Sequence, residues 1–154
     1  MPLCVPRVLG ASLLGETMAV IVQREIEFPM VDLAQIAFYP RIYDLAHRCF
    51  EQAWALMCEQ TYPHIINEMR LGFPVVHINS EFHAPIKYGD CVSMEMNISH
   101  LGTRSLEWQY RLTNQLGILV WSSTQMTVCV DMETMQSKDI PESLRRGLSN
   151  HLSG

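Results

Sequence analysis

No stretch of this 154-residue chain is apolar for long enough to make a membrane-spanning helix, and no segment repeats or falls to low complexity. A helical membrane protein and a repeat array are therefore excluded. Metal-site spacing is missing too: Cys4, Cys49, Cys58, Cys91 and Cys129 are odd in number and include no CxxC or similar pattern. That argues against zinc and against a disulfide framework, and it predicts reduced, partly buried thiols in a cytoplasmic protein. Charge is scarce, at 18% of residues, and the net value of -5 is acidic. Binding to a phosphate backbone needs a positive field, so nucleic acid is not expected as a partner. What the chain has in quantity is apolar residues, 48%, enough for a globular core in a single domain.

The first seventeen residues, MPLCVPRVLGASLLGET, carry one arginine and a brief apolar patch with Pro2 and Pro6 crowding the start. The patch is too short for a membrane span and a poor secretory signal, so residues 1–17 are expected to be a disordered extension and residues 18–154 the folded domain. Met18 to Phe28 is rich in β-branched residues and reads as a strand. From Pro40 the period changes. Ile42, Leu45, Ala46, Cys49, Phe50, Ala53, Trp54 and Met57 recur at three- and four-residue steps, with Arg41, Asp44, Arg48, Glu51 and Gln52 opposite them. This is a long amphipathic helix with proline in its first turn, where a missing N–H does no harm.

Alternation then takes over. Val76, Ile78 and Phe82 alternate with His77, Asn79 and Glu81; Val92 to Ile98 and Leu106 to Leu112 alternate in the same way, and Ile118 to Met132 is long enough for a further strand. YGD (Tyr88 to Asp90), LGT (Leu101 to Thr103) and NQLG (Asn114 to Gly117) supply the turns. Met94, Met96 and Trp108 are core residues in this reading. KDIPESLRRGL predicts a short terminal helix. A strand, a long helix and four turn-linked strands make an antiparallel sheet with one helix on its apolar face.

One residue breaks the pattern. In VDLAQIAFYP, Val31 to Pro40, a lone Asp32 sits in an apolar run just before the helix. A carboxylate there must be hydrogen-bonded, solvated or used. Taken by itself, Asp32 reads first as a turn or cap residue, a common place for aspartate, and only second as a catalytic one.

The segment Glu27 to Trp54, in which Asp-x-x-x-Ile runs into an aromatic-Pro pair that opens the helix, resembles hotdog-fold acyl-CoA thioesterases of the 4-hydroxybenzoyl-CoA thioesterase family. Phe73 to Val92 and Ser99 to Trp108 resemble that family's second strand, YGD turn and following hairpin. The likeness spans roughly residues 20 to 132. It implies an α+β hotdog fold, a five-stranded antiparallel sheet wrapped around one long central helix. It also implies hydrolysis of an acyl-CoA, with an aromatic acyl group such as 4-hydroxybenzoyl favoured, and no cofactor.

By the same resemblance Asp32 is the catalytic carboxylate, as nucleophile or general base, and the backbone N–H of Tyr39 faces the thioester carbonyl as oxyanion donor. Free N–H groups and the positive end of the helix dipole suit that role. Arg104 matches a position where the family presents a cation to coenzyme A, with Lys87, Arg145 and Arg146 as further candidates. Family members pair into dimers or tetramers with the active site at a subunit interface, so a homo-oligomer is implied. Another hotdog branch uses a carboxylate farther along the helix, for which Glu51 is the candidate, although its place on the charged side reads as a solvated residue. His47 reads as a surface or interface residue. His77 and His83 lack a third ligand at a recognisable spacing, and no metal is expected. Two other readings stay open: a thioesterase for acyl groups on a carrier protein, and a non-catalytic hotdog acyl-binding module. A hotdog dehydratase would need a histidine near the helix start, and none lies between Asp32 and Tyr39.

Overall fold

A computed structural model of the protein describes Cys4, residues 7–14 and residues 17–153, with side chains for Cys4 and residues 19–153. In chain order the elements are β1 (Arg7–Leu14), β2 (Thr17–Glu25), a 3-10 turn (Phe28–Met30), α1 (Tyr39–Cys58), α2 (Tyr62–Asn67), β3 (Leu71–Gly72), β4 (Val75–Phe82), β5 (Cys91–Leu101), β6 (Ser105–Thr113), β7 (Leu119–Val128), β8 (Val130–Asp131) and α3 (Glu142–Ser149). Six strands form one antiparallel sheet in the order β1-β2-β5-β6-β7-β4, and β3 pairs with β8 in a small second ladder.

The apolar stripe of α1 decides how the layers meet. Ile42, Leu45, Ala46, Cys49, Phe50, Ala53, Trp54 and Met57 are all buried, together with Cys58. They meet the inward-facing residues of the sheet: Val20 and Val22 of β2, Val92, Met94, Met96 and Ile98 of β5, and Leu106, Trp108, Tyr110 and Leu112 of β6. Each large side chain so buried contributes about 1.5–3 kcal/mol relative to exposure. An aromatic knot marks the centre, with Trp54 against Phe73 at 4.5 Å and Phe50 against Trp108 at 5.1 Å between ring centroids. Trp108 Nε1 donates to Thr127 Oγ1 at 3.0 Å, which accounts for a polar residue at an inward position of β7.

The structure departs from the sequence reading at three places. Arg7–Leu14, inside the segment expected to be disordered, forms strand β1 along the outer edge of β2. The reason is the open ladder that β2 would otherwise present there; the rest of that expectation, at residues 1–3, 5–6 and 15–16, lies outside the described residues. Cys4 and Cys91 form a disulfide, against the expectation of reduced thiols. Register explains the encounter: Arg7 lies opposite Gln23, Gln23 opposite Ser93, and β2 stops at Glu25, so the chain ahead of β1 comes alongside the start of β5. The cytoplasmic reading loses the ground on which it rested. Finally, β4 is not half-buried. Val75, Val76, Ile78 and Phe82 are all exposed, because β4 is the sheet's far edge and the buried stripe of α1 does not reach it.

At the other end of α1, Gly147 of α3 lies so close that an added Cβ would collide with the carbonyl oxygen of Met57 and stand 2.9 Å from Cys58 Cα. Neither atom can turn away, since both are backbone. Gly147→Ala is expected to destabilise the fold by about 1–3 kcal/mol, read from the midpoint of a denaturant titration.

Burial pushes the Cys49 and Cys58 thiols up to about 12 and Cys129 up to about 11, leaving little thiolate at neutral pH. In a thiol titration near pH 8 the native protein should therefore react slowly. Once unfolded it should expose three thiols without reductant, Cys49, Cys58 and Cys129, and all five after reduction. Five thiols without reductant would disprove the disulfide.

Candidate active site

The segment ahead of α1 is a small hairpin rather than an apolar run. Val31 pairs antiparallel with Ala37, Asp32 N–H donates to Ile36 O at 3.1 Å, and Phe38 N–H donates to Met30 O at 2.8 Å. Asp32 begins the turn at its tip. Its Oδ1 accepts from Ala34 N–H at 2.8 Å, its carbonyl accepts from Gln35 N–H at 2.9 Å, and Gln35 takes a left-handed φ of 63° to close the loop. Asp32 is thus a turn residue with its carboxylate on the surface, and its apolar neighbours do not enclose it. One carboxylate oxygen, Oδ2, has no hydrogen-bond partner among the described residues.

A shelf supports the hairpin from one side. Ile36 pairs with Lys87, Ala37 N–H donates to Ile86 O at 2.6 Å, and Tyr88 N–H donates to Gln35 O at 3.4 Å. The shelf is tied in turn to the end of β2 through Gly89 N–H to Ile26 O (2.9 Å) and Ile26 N–H to Asp90 O (2.8 Å). Gly89 has φ +86°, and Asp90 Oδ2 accepts from Lys87 N–H at 2.8 Å, so the residues of the YGD turn each have a mechanical task. The hairpin leads directly into α1, whose first residue is Tyr39. No side chain caps that terminus, and the Tyr39 amide has no intrahelical acceptor. A carboxylate on a fixed tip and a helix N-terminus at the base of the same hairpin are the kinds of group that can act as nucleophile or base and as donors to a developing oxyanion.

The other sequence candidates fall elsewhere. Arg104 lies in the turn after β5, whereas the hairpin sits near that strand's beginning. Eleven residues of strand separate them, roughly 35 Å of chain. Its Nε donates to Asp139 Oδ1 at 2.6 Å and its Nη1 to Ser137 Oγ at 3.3 Å. Arg145 Nη2 donates to the carbonyls of Gly102 (2.8 Å) and Thr103 (3.1 Å) in that same turn. Two cations lie next to the hairpin: Lys87, which is exposed and makes no ion pair among the described residues, and Arg41 in the first turn of α1, which pairs with Asp44 at 3.0 Å. Glu51 is exposed on α1, 3.7 Å from His47 and about 18 Å along the helix from Tyr39. His83 Nε2 lies 2.8 Å from Ser122 Oγ, and among the described residues no three acidic, histidine or cysteine side chains gather around one point.

Beside this site a groove runs between α1 and β4. Near the hairpin it is mostly apolar, a hollow of about 340 Å³ lined by Ile36, Ala37, Ile42, Phe82 and Ile86, with His83 also in its wall. Farther along it becomes a mixed cleft of about 420 Å³ with Tyr43, His47, Phe50, Ile78, Tyr110 and Gln125 on its walls. Sequence reasoning passed over the polar side chains here. The signal was available in β7, where Ser123, Gln125 and Thr127 share the inward face with Trp121.

Comparison with known proteins gives this arrangement its family. The pattern of the thioesterase-like superfamily matches residues 33–148, beginning one residue after Asp32. The chain belongs to that superfamily. A 1,4-dihydroxy-2-naphthoyl-CoA hydrolase of Synechococcus elongatus is 24% identical over 123 residues, covering 80% of this chain and 90% of the relative. The acyl-CoA thioester hydrolase YbgC of Escherichia coli is 29% identical over 111 residues, covering 71% and 75%. Among solved structures, a mutant 4-hydroxybenzoyl-CoA thioesterase in complex with 4-hydroxybenzoyl-CoA superposes with a TM-score of 0.77 at 19% identity, over 84% of this chain and 98% of that one. The fold is the hotdog fold, with β1 added to its expected five strands. The protein is a thioester hydrolase of this superfamily, and no helix among its described residues is long and apolar enough to cross a membrane.

Asn at position 32 can still accept the Ala34 N–H through its side-chain oxygen, so Asp32→Asn should leave stability within about 0.5 kcal/mol of the wild type, whereas Asp32→Ala loses the turn bond as well. Matched denaturant titrations of the two variants check this and qualify Asp32→Asn as the cleaner probe of chemistry.

Proposed function

We propose that this thioesterase hydrolyses acyl-CoA thioesters, with Asp32 as nucleophile or general base and the Tyr39 backbone N–H as oxyanion donor. The observation that carries the reading is the hairpin, which fixes Asp32 at its tip and delivers the chain straight into an uncapped helix N-terminus. In the nucleophilic course Asp32 attacks the thioester carbonyl carbon, and negative charge collects on the oxygen facing the Tyr39 amide. The C–S bond then breaks and the thiolate departs to take a proton. Water cleaves the mixed anhydride and restores the carboxylate. In the general-base course Asp32 takes the proton of the attacking water instead, from the same position.

An aromatic acyl group is favoured by the likeness to a naphthoyl-CoA hydrolase and by the apolar hollow beside the helix start. A homo-oligomer with its active site at the subunit interface fits the open edge of β4, where Val75, Val76, Ile78 and Phe82 are exposed next to an unpaired ladder. Such an assembly is also the setting in which Arg104 can serve coenzyme A, contributed by another copy to a site from which its own chain holds it away. Within one chain Lys87 is a nearer cation for a phosphate than Arg104.

The remote, ion-paired position of Arg104 supports one second reading, a thioesterase for acyl groups on a carrier protein, which needs no cation for a nucleotide. Equal kcat/KM for coenzyme A and pantetheine thioesters of one acid would favour it over the first.

Thiol release from a panel of aromatic and aliphatic acyl-CoAs tests the main reading. The wild type should turn over, and Asp32→Asn should lower kcat by at least about 100-fold. Undiminished turnover in a folded Asp32→Asn protein would move the catalytic acid elsewhere.

A further inference from the structure

The apolar hollow and the mixed cleft share no lining residue, and a hydroxyl chain from α1 to β7 lies between them. Ile78, Ser80 and Phe82 share the inward side of β4, with Ile78 in the wall of the mixed cleft and Phe82 in that of the apolar hollow. Ser80 stands between them. From α1, Tyr43 reaches across and donates its hydroxyl to Ser80 Oγ at 2.9 Å, and Ser80 Oγ is 2.8 Å from Ser123 Oγ, which is buried on β7. The Tyr43 ring also meets the fully buried Trp121 edge-on, at 5.8 Å and 87°. Held at ring and hydroxyl, Tyr43 has little freedom to swing aside.

We infer that Tyr43, anchored through Ser80 and Ser123, is a specificity-determining residue that closes the far end of the acyl chamber and limits the length of the acyl group accepted. The inference rests on the thioesterase reading above. Tyr39 and Tyr43 are four residues apart and share one side of α1, about 6 Å from one to the next along the axis. A thioester carbonyl at the Tyr39 amide therefore places its first acyl carbons in the apolar hollow and the remainder against the Tyr43 ring. A short alkyl chain or a single ring ends before the post. A long chain must displace it, breaking the hydroxyl chain and the Trp121 contact, or leave the groove for water. The mixed cleft beyond is large enough to receive such a chain once the post is gone.

The test is kcat/KM across butanoyl-, hexanoyl- and decanoyl-CoA for the wild type, Tyr43→Ala and Ser80→Ala. The wild type should decline toward decanoyl. Tyr43→Ala should raise the decanoyl-to-butanoyl ratio by at least about tenfold, in keeping with the discrimination that a few methylenes carry in a shaped pocket. Ser80→Ala removes the anchor while leaving the ring in place, and should shift the ratio the same way by less. A wild type that hydrolyses decanoyl- and butanoyl-CoA equally well overturns the inference, as does an unchanged ratio in Tyr43→Ala. If Tyr43→Ala does not fold, an unchanged ratio in Ser80→Ala overturns it. If the wild type hydrolyses no acyl-CoA, it is the thioesterase reading that fails. Calorimetric binding of butanoate and decanoate then decides the post: equal preference in the wild type and Ser80→Ala overturns it, and a shift toward decanoate in the variant sustains it.

Discussion

Burial of a single stripe of α1 beneath the sheet is the constraint on which the rest of the molecule depends. Nine side chains of a twenty-residue helix commit to that contact, and the close approach of Gly147 pins the helix's far end. With its axis fixed, the N-terminus of α1 emerges where β2 ends and β5 begins, and the hairpin and its shelf are built there. The stripe is also narrower than the sheet. It covers β2, β5 and β6 and leaves β4 outside, so one packing decision yields both the hollows beside α1 and an open sheet edge.

Main-chain hydrogen bonds carry the hairpin itself. Residues 30–38 bond to one another and to residues 86–88, and that shelf bonds to Ile26, so the tip is referred back to the core strand β2. Asp32 is placed by backbone geometry rather than by side-chain packing, which leaves its carboxylate at the surface and accounts for an acidic residue in an apolar run. The run is the two arms of a hairpin, and the aspartate begins its turn.

Much of this was legible in the sequence because periodicity reports burial. The eight apolar positions assigned to α1 are all in the core, and the inward residues of β5 and β6 are those that alternation selects. Pattern was silent where the outcome depends on which elements become neighbours. The alternation of Val76, Ile78 and Phe82 looks the same in a covered strand as in an exposed edge. The partner of Cys91 lies 87 residues away and meets it only through two strand registers. Arg104 aligned with a family position, yet alignment carries no information on the ion pair with Asp139 or on the strand that holds it away from Asp32. For Asp32, spacing alone left a turn residue and a catalytic acid as alternatives, and the geometry makes the two roles compatible.

Exposure of the hairpin bears on how its chemistry would be run. Around Asp32 the side chains of Phe28, Leu33, Ile36, Phe38, Tyr39 and Tyr88 are all open to solvent, with Leu33 fully so. Water at such a site screens the helix terminus and competes for the amide that an oxyanion would need, so the proposed chemistry would be disfavoured in a lone chain. Six exposed aromatic and aliphatic residues bury little surface in a single chain, but they are what covering a carboxylate with few further polar groups requires. The exposed edge of β4 ends at Phe82, and the turn after it leads into the shelf under the same hairpin. Under the proposed assembly, pairing along that edge brings a second copy toward the rim and excludes water from it. The same association would then satisfy the open ladder, cover the apolar rim and lower the dielectric around Asp32, and the proposed oligomer would be part of the catalyst rather than packaging for it.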